Sequence, residues 1–298
     1  MRVRVILNPS SGRQFAQKNI ELIIQGLLQD GTIRQAELIE TRGQGDAYRA
    51  ARYFNPFQVD LVLAVGGDGT MHEVVNGLVD GHHQTPLAIY PAGTINDFAR
   101  SLQISREVED FKKLIRQFKV RPVDVGKAGD TYFFNVLAAG MMTDIAYKTT
   151  LESKTVLGQL AYYITATLDL PNQLERSINA VFESEECSFQ GEILMFLVSN
   201  TSSVGGFQCM APQASFDDGL LDVIIIHKQN LLELLPLVVK LGNGEHVKSE
   251  GITYFQTKSV KVSCTGPEPV KLDLDGEQVG QLPVEISVVE DAIRMLMP

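Results

Sequence analysis

The fold is decided by residues 61–73, which read Leu61-Val62-Leu63-Ala64-Val65-Gly66-Gly67-Asp68-Gly69-Thr70-Met71-His72-Glu73. An apolar run stops at a group of glycines, and helical spacing of apolar residues begins at Met71. This pattern predicts a buried strand, a tight turn and the first turn of a helix. Glycine lets the backbone approach a ligand closely, and the free N–H groups of a helix N-terminus attract anions, of which a nucleotide phosphate is our first expectation.

Asp68 makes this prediction more specific. A carboxylate among phosphate-binding amides would repel the phosphate unless a Mg²⁺ ion lay between them. The turn therefore predicts a metal-nucleotide site. The alternative is a tight strand-to-helix turn that binds nothing, because one glycine loop is a weak signal by itself.

Composition limits the class of protein. The chain has 298 residues, 44% of them hydrophobic, which fits one large domain or two ordinary ones with a full core. Its net charge of −10 argues against nucleic acid as the main partner. Cys187, Cys209 and Cys264 lack metal-site spacing, which indicates thiols in a reducing, cytoplasmic compartment. We expect neither a signal peptide nor a membrane-spanning segment.

The first part of the chain alternates predicted strands with predicted helices, which is typical of an α/β fold with an open parallel sheet. Ligands of such sheets lie outside the carboxyl ends of the strands. Strands are predicted at 2–7, 34–40, 61–65, 86–90 and 119–125, and polar loops follow several of them. The loops that we expect at this edge are Asn8–Gly12, Thr41, Gly66–Thr70 and Pro91–Asp97.

The second part of the chain is mostly β. Successive strands with short turns predict an antiparallel, β-sandwich-like domain. We predict strands at 131–137, 176–184, 189–199, 220–227, 252–264, 269–275 and 282–289, and helices within 144–170 and at 230–241. The predicted organisation is an α/β nucleotide-binding domain over 1–127, a β-rich substrate domain over 128–290, and a segment, 291–298, that returns to the first domain.

Two motifs carry a resemblance to a known family. Gly66-Gly67-Asp68-Gly69-Thr70 is followed by Pro91-Ala92-Gly93-Thr94-Ile95-Asn96-Asp97-Phe98-Ala99-Arg100, and together they resemble bacterial diacylglycerol kinases and related lipid kinases, including sphingosine and ceramide kinases. The first motif is shared with NAD kinases, and the second is more specific to lipid kinases. The resemblance covers nearly the whole chain, in the family's order. It implies an NAD-kinase-like or diacylglycerol-kinase-like nucleotide domain followed by a β-sandwich-like lipid domain.

The resemblance implies an ATP site built from backbone amides and hydroxyls, since the sequence contains no Walker-type P-loop. The implied nucleotide-binding residues are Asn8, Pro9, Ser10, Ser11, Gly12, Thr41, Gly66, Gly67, Asp68, Gly69, Thr70, Glu73, Thr94, Asn96 and Asp97. Asp68, Asp97 and Asp124 match an acidic set that organises Mg²⁺, partly through water. Alternatively, Asp97 caps a helix and Asp124 is a turn residue at a strand end.

The resemblance to the family assigns catalysis to Glu277, acting with Asp68. Glu277 follows Asp275-Gly276, a predicted tight turn, and would accept the proton of a lipid hydroxyl as its oxygen attacks the γ-phosphorus. Spacing alone allows a plain hairpin turn with a solvated acid. A second, structural Mg²⁺ is implied at Ser215, Asp218 and Leu220, where the alternative is an ordinary Asp-Asp-Gly turn.

The expected substrate is a lipid at a membrane surface, so the protein must associate transiently with membranes. Candidates for a basic rim are Arg13, Lys18, Arg100, Lys148 and Lys154, together with apolar residues of 144–165, although each cation could simply be solvated. Sedimentation with anionic vesicles at low and high salt tests this docking. The oligomeric state is left open, with a homodimer as one alternative.

Three functions remain in competition after this reading of the sequence. The leading one is an ATP- and Mg²⁺-dependent lipid kinase, with diacylglycerol as the default acceptor and phosphatidic acid as the product. The others are an NAD kinase-like enzyme and a non-catalytic nucleotide-binding regulator on the same fold.

Overall fold

The structure is a computed structural model that describes residues 1–11, 13–93, 96–140, 177–266 and 269–298. The helices predicted within 144–170 lie outside the described residues. The chain divides into two compact units, which we call unit 1 (Met1–Val125 with Val289–Pro298) and unit 2 (Gly126–Val288). The two boundaries were predicted after residues 127 and 290.

Unit 1 is built on parallel strands. The order across the sheet is β15 (Val284–Leu296), β4 (Leu87–Pro91), β3 (Leu61–Gly66), β1 (Arg2–Leu7) and β2 (Gln35–Glu40), and each neighbouring pair is parallel. All six residues of β3 are buried, which requires cover on both faces of the sheet. The predicted α/β fold is therefore confirmed. A further strand, β5 (Val120–Ala128), pairs with β15.

Helices of unit 1 follow the strands in the predicted alternation. They are α1 (Arg13–Gln29), α2 (Asp46–Arg52), α3 (Asp68–Asp80), α4 (Asp97–Ser101) and α5 (Val108–Gln117). A 3-10 turn spans Pro56–Gln58. Helix α1 packs on α5, and α2 packs on α3. The sequence analysis did not predict α4, because a helix of five residues is too short to show helical periodicity.

The final strand belongs to both units. Strand β15 pairs with β12 (Ser259–Thr265) of unit 2 through Ser287 and its neighbours, and Met295 pairs with Leu87 of β4 in unit 1. Ile293, Met295 and Leu296 are buried, which explains the apolar composition of this segment. Residues Val289–Pro298 therefore supply a strand of the unit 1 sheet, which pairs with β4 and, as part of β15, with β5.

Unit 2 is built on antiparallel strands joined mostly by short turns. Its further strands are β6 (Thr131–Phe133), β7 (Val136–Gly140), β8 (Ile178–Glu183), β9 (Ser188–Ser199), β10 (Leu221–His227), β11 (Ile252–Thr257), β12 (Ser259–Thr265), β13 (Lys271–Leu274) and β14 (Glu277–Gln281). Each strand pair among them is antiparallel. The predicted antiparallel, sandwich-like domain is confirmed.

Alternation along β9 and β10 separates two apolar clusters in unit 2. Phe196 and Val223 point into a core shared by the strands, together with Phe133 and Phe182. Leu194 and Leu197 of β9 and Ile224 of β10 point to the opposite face of the sheet. There they pack against Leu234 and Leu237 of α6 (Leu231–Leu241). A 3-10 turn, Glu245–Lys248, follows this helix. Both faces of this sheet are therefore packed, as period-2 alternation requires.

Most predicted strands differ from the structure by a few residues at their ends, three differ more, and β14 was not predicted. The strand predicted over 131–137 is divided into β6 and β7, because Asp275 takes the intervening backbone N–H groups. The strand predicted over 252–264 is divided after Thr257, whose hydroxyl donates to Ser259 O and accepts from Ser259 N. The strand predicted over 282–289 continues to Leu296. Such local side-chain bonds to the backbone compete with strand ladders and are difficult to read from periodicity.

Candidate active site

The glycine turn after β3 has the predicted form. Gly67 is the N-cap of α3, with an extended backbone, and Asp68 is the first helical residue. A Cβ on Gly66 would lie 2.4 Å from the Thr70 hydroxyl oxygen, so a side chain there would displace Thr70. The turn thus presents the backbone and the first turn of α3 at the carboxyl end of β3.

The second motif lies against this turn. A Cβ on Gly93 would come within 2.6 Å of the Gly67 Cα atom, and one on Gly67 within 3.3 Å of the Gly93 Cα. Two backbones can approach this closely only where both residues are glycine. The structure therefore brings the two motifs that carried the resemblance into direct contact.

Asn96 connects the second motif to Asp68. Its backbone N–H donates to Asp68 Oδ2 at 3.0 Å, and its side-chain oxygen accepts from Gly93 N at 2.9 Å. Its side-chain nitrogen donates to Gly93 O. Asn96 has φ of 50°, a left-handed conformation that asparagine tolerates better than most residues. A small cavity beside these groups is lined by Gly66, Asp68, Met71, Ile89, Pro91, Asn96, Phe98 and Ala99.

The loop after β1 joins the same site. Asn8 donates from its backbone N–H to Val65 O at 2.9 Å and from its side chain to the Thr70 hydroxyl at 3.0 Å. The Asn8 side-chain oxygen accepts from the N–H and the hydroxyl of Ser10. Ser11 Oγ lies 4.0 Å from the position that a Gly67 Cβ would take. Pro9 lies in this turn, whereas Gly12 and Thr94 fall outside the described residues.

Asp97 and Asp124 are both buried in unit 1 and lie on different elements. Asp97 is the first residue of α4, and Asn96 holds the N-cap position. Asp124 lies inside β5, so its alternative role as a turn residue at a strand end is wrong. Asp124 Oδ1 accepts a hydrogen bond of 2.8 Å from Asp291 N, on the returning strand β15.

Asp68, Asp97 and Asp124 offer only oxygen atoms as ligands, and Mg²⁺ prefers oxygen ligands. Within the described ranges, however, no three His, Cys, Asp or Glu side chains converge closely enough to hold an ion directly. Asp68 and Asp124 also each accept a backbone hydrogen bond. The residues therefore fit an ion held through water and nucleotide oxygens better than one enclosed by protein ligands.

Glu73 has a contact that the sequence did not reveal. Its carboxylate accepts from Gly45 N at 2.7 Å, Ala47 N at 3.0 Å and Tyr48 N at 3.3 Å, at the start of α2. These bonds tie α3 to the loop that begins at Thr41, whose own N–H donates to Leu7 O. Glu73 thus anchors a neighbouring loop, and its contact with a nucleotide stays a prediction.

The predicted turn before Glu277 is confirmed in unit 2. Strands β13 and β14 are joined by Asp275 and Gly276, with φ of 55° and 93°. Positive φ at both positions is the signature of a type I′ hairpin turn, for which Asp-Gly is a favoured sequence. Glu277 is the first residue of β14 and is half-buried.

Two family models match the chain and together cover most of it. Residues 2–128 match the diacylglycerol kinase catalytic domain, and residues 135–297 match the YegS C-terminal NAD kinase beta sandwich-like domain. The chain belongs to the diacylglycerol kinase family.

Named relatives agree with this assignment. A diacylglycerol kinase of Bacillus subtilis strain 168 is 38% identical over 298 residues, covering 100% of this chain and 96% of the relative. A diacylglycerol kinase of Staphylococcus epidermidis is 33% identical over 297 residues, covering 100% of this chain and 92% of the relative. A crystal structure of a diacylglycerol kinase from Bacillus anthracis strain Sterne matches with a TM-score of 0.81 at 25% identity, covering 100% of this chain and 97% of that one.

Family membership makes the protein an enzyme of the lipid kinase class. The NAD kinase-like alternative explains only the first glycine motif, whereas the family model covers both motifs. A non-catalytic regulator is likewise not supported. Among the described residues, no helix is long and apolar enough to cross a bilayer.

The kinase's predicted structural metal site lies on a turn before β10. Ser215 Oγ donates to Asp217 Oδ1 at 2.9 Å, and Leu220 N donates to Asp218 Oδ1 at 3.0 Å. Gly219 has φ of 72°, so the backbone reverses sharply here. Carbonyl and carboxylate oxygens at this turn suit Mg²⁺. The described residues include no cluster of three acidic or His/Cys side chains here, so main-chain carbonyls would have to supply ligands.

Asp222 is a buried acid of this kinase for which no role was predicted. It is fully buried on β10, accepts from the Tyr254 hydroxyl, and accepts from Gln256 Nε2 at 3.3 Å. Burial raises the pKa of Asp222 to about 6, and the charge of Asp218 contributes in the same direction, against the two hydrogen bonds. The available signal was a lone acid within the apolar run Leu221–Ile226.

Proposed function

We propose that this kinase transfers the γ-phosphoryl group of ATP to the hydroxyl of a lipid alcohol, with diacylglycerol as acceptor and phosphatidic acid as product. The observation that carries the proposal is the contact of the two glycine motifs at Gly67 and Gly93, with Asp68 bound to Asn96 N beside them. This contact assembles the parts of the chain that distinguish lipid kinases from other enzymes with the first motif.

Phosphate binding in this proposal relies on small groups rather than on a lysine. The amides of Gly67 and Gly69 and the hydroxyl of Thr70 lie at the first turn of α3, where the helix dipole favours negative charge. Asn8 fixes the Thr70 hydroxyl at 3.0 Å. Bound Mg²⁺ would neutralise the charge that develops on the transferred phosphoryl group, and Asp68, Asp97 and Asp124 are the residues that would orient it.

Glu277 is the proposed general base. Its carboxylate takes the proton of the acceptor hydroxyl while the oxygen forms a bond to the γ-phosphorus, and the bond from that phosphorus to the bridging oxygen breaks, so ADP leaves. The proposal requires Glu277 to come within hydrogen-bond reach of the acceptor oxygen during turnover. Its position at the start of β14, directly after a tight turn, gives the side chain a defined origin.

The test combines a substrate panel with one variant. Labelled ATP and Mg²⁺ are incubated with diacylglycerol, a sphingoid base, phosphatidylglycerol, an isoprenoid alcohol, NAD or no acceptor. We expect label in phosphatidic acid above all, and loss of transfer with retained ATP binding in Glu277→Gln. Glu285→Gln, an exposed acid of unit 2, is the matched control. Turnover by Glu277→Gln, or preferential labelling of NAD, would contradict the proposal.

Access to the lipid forms a further part of the proposal. We keep the prediction of reversible docking to anionic membranes through Lys18 and Arg100 on unit 1, together with Arg13. Lys148, Lys154 and the apolar residues of 144–165 lie outside the described residues. Binding to vesicles that does not respond to salt, or no binding, would contradict docking through a basic rim.

A further inference from the structure

Asp275 makes an unusual set of bonds for a turn residue. Its carboxylate accepts from three consecutive backbone N–H groups, those of Phe134, Asn135 and Val136, at 3.0, 2.9 and 3.0 Å. Asp275 N donates in return to Val136 O at 2.9 Å. All four residues are buried, so these bonds are made away from water, where a charged acceptor bonds strongly.

The 134–136 segment that Asp275 binds also makes hydrogen bonds with a second segment, residues 199–201. Asn135 O accepts from Asn200 N at 2.8 Å, and the Asn135 side-chain oxygen accepts from the Thr201 hydroxyl. Ser199 Oγ also donates to Thr201 O. Because Ser199, Asn200 and Thr201 are buried, the network is shielded from competing water. The anchor of Asp275 is therefore a buried, multiply hydrogen-bonded part of unit 2.

The turn transmits this anchoring to the next residue. Asp275 and Gly276 both have positive φ, and Gly276 N donates to Asp273 Oδ1 at 2.8 Å, which closes the two-residue loop. Gly276 is the only residue between Asp275 and Glu277, and Glu277 is the first residue of β14. The Asp275 bonds therefore hold the point at which Glu277 leaves the turn.

We infer that Asp275 is a positioning residue, whose bonds to the 134–136 amides aim Glu277 at the acceptor hydroxyl. The inference rests on the proposed role of Glu277. Its physical basis is that a displacement of about 1 Å at a reacting group can cost about 100-fold in rate, while remote substrate contacts are unaffected. Asp275 does not itself contact the reacting atoms in this scheme.

Asp275→Asn removes the carboxylate charge and keeps a sequence that favours the turn. Asn-Gly is as good a type I′ sequence as Asp-Gly, so the hairpin itself is retained. The new amide nitrogen would face a backbone N–H of the 134–136 segment, so two donors would meet in a buried site and the anchor would be lost. We expect kcat to fall about 100-fold, with the KM for ATP within about twofold of the parent.

Hydrogen exchange reports the anchor directly. The amides of 134–136 should exchange faster in Asp275→Asn than in the parent. The matched control is Asp130→Asn, an exposed acid in another two-residue hairpin loop, between β5 and β6, which should change neither exchange nor kcat. If Asp275→Asn does not fold, Gly276→Ala replaces it, because φ of 93° disfavours alanine while open space surrounds the added methyl.

Each outcome decides the inference. Faster exchange with reduced kcat and unchanged KM supports it. Faster exchange with the kcat of the control, unchanged exchange, or a raised KM at unchanged kcat overturns it. Glu277→Gln separates the two levels: if that variant keeps its turnover, the proposed base role fails, whereas an inactive Glu277→Gln beside a normal Asp275→Asn rejects only the positioning role.

Discussion

Gly93→Ala tests the backbone contact on which the candidate site depends. The added Cβ would lie 2.6 Å from the Gly67 Cα atom, whereas two carbon atoms are in favourable contact at about 3.5 to 4.0 Å. The two loops would therefore have to separate by about 1 Å, and since the obstructing atom belongs to the backbone, no side-chain rotation can relieve the contact. Overpacking of this kind costs about 1–3 kcal/mol.

The expected consequences are larger for catalysis than for folding. A cost of about 2 kcal/mol lowers the melting temperature of a unit of this size by roughly 7 °C. A 1 Å displacement of phosphate-binding groups lowers kcat/KM for ATP by about 100-fold. Gly67→Ala should be milder, because its Cβ would meet Gly93 Cα at 3.3 Å and a shift of a few tenths of an ångström suffices.

Steady-state kinetics with varied ATP, ATP binding by calorimetry and thermal melting measure these effects. Gly43→Ala is the matched control, since nothing lies within 4 Å of its added Cβ and its N–H bond to Asp46 is retained. If Gly93→Ala binds ATP and turns over like Gly43→Ala, the contact of the two glycine motifs does not organise the site and the reasoning is refuted.

Three further predictions address other contacts. Glu73→Gln should lower the melting temperature by several degrees and raise the KM for ATP, because three amides of the α2 loop lose a charged acceptor; an unchanged melting curve would contradict this. The raised pKa of Asp222, about 6, means that the folded state prefers the neutral acid, so stability falls by up to about 3 kcal/mol as pH rises from about 4 through 6. In chelator, Asp222→Asn should therefore gain stability over the parent at pH 8 but not at pH 4, as measured by urea unfolding. Removal of Mg²⁺ should lower the melting temperature of the parent but not of Asp218→Ala, and equal responses would argue against the second metal site.

Much of the fold was accessible from the sequence because the deciding features are local. Residues 61–73 show a buried strand, a glycine turn and a helix start within one short window, and the alternation of such windows defines the parallel sheet. Asp275-Gly276 likewise predicts a hairpin turn, because few sequences accept positive φ at two successive positions.

What escaped prediction depends on contacts between distant residues. The anchoring of 134–136 by Asp275 joins parts of the chain about 140 positions apart, and no local pattern reveals it. Glu73 could be placed on a helix, but its bonds to the α2 loop follow from how α2 packs on α3. The strand break that Asp275 causes was missed for the same reason.

The division of unit 1 between Met1–Val125 and Val289–Pro298 has a consequence for biosynthesis. On the ribosome, the amide of Asp291 that binds Asp124, and the strand edge that pairs with Leu87, are translated only after the whole of Gly126–Val288. Domains ordinarily fold as they emerge, N-terminal first. Here the earlier half must wait, with one acid of its candidate magnesium set still lacking its backbone donor, until the later half has been made.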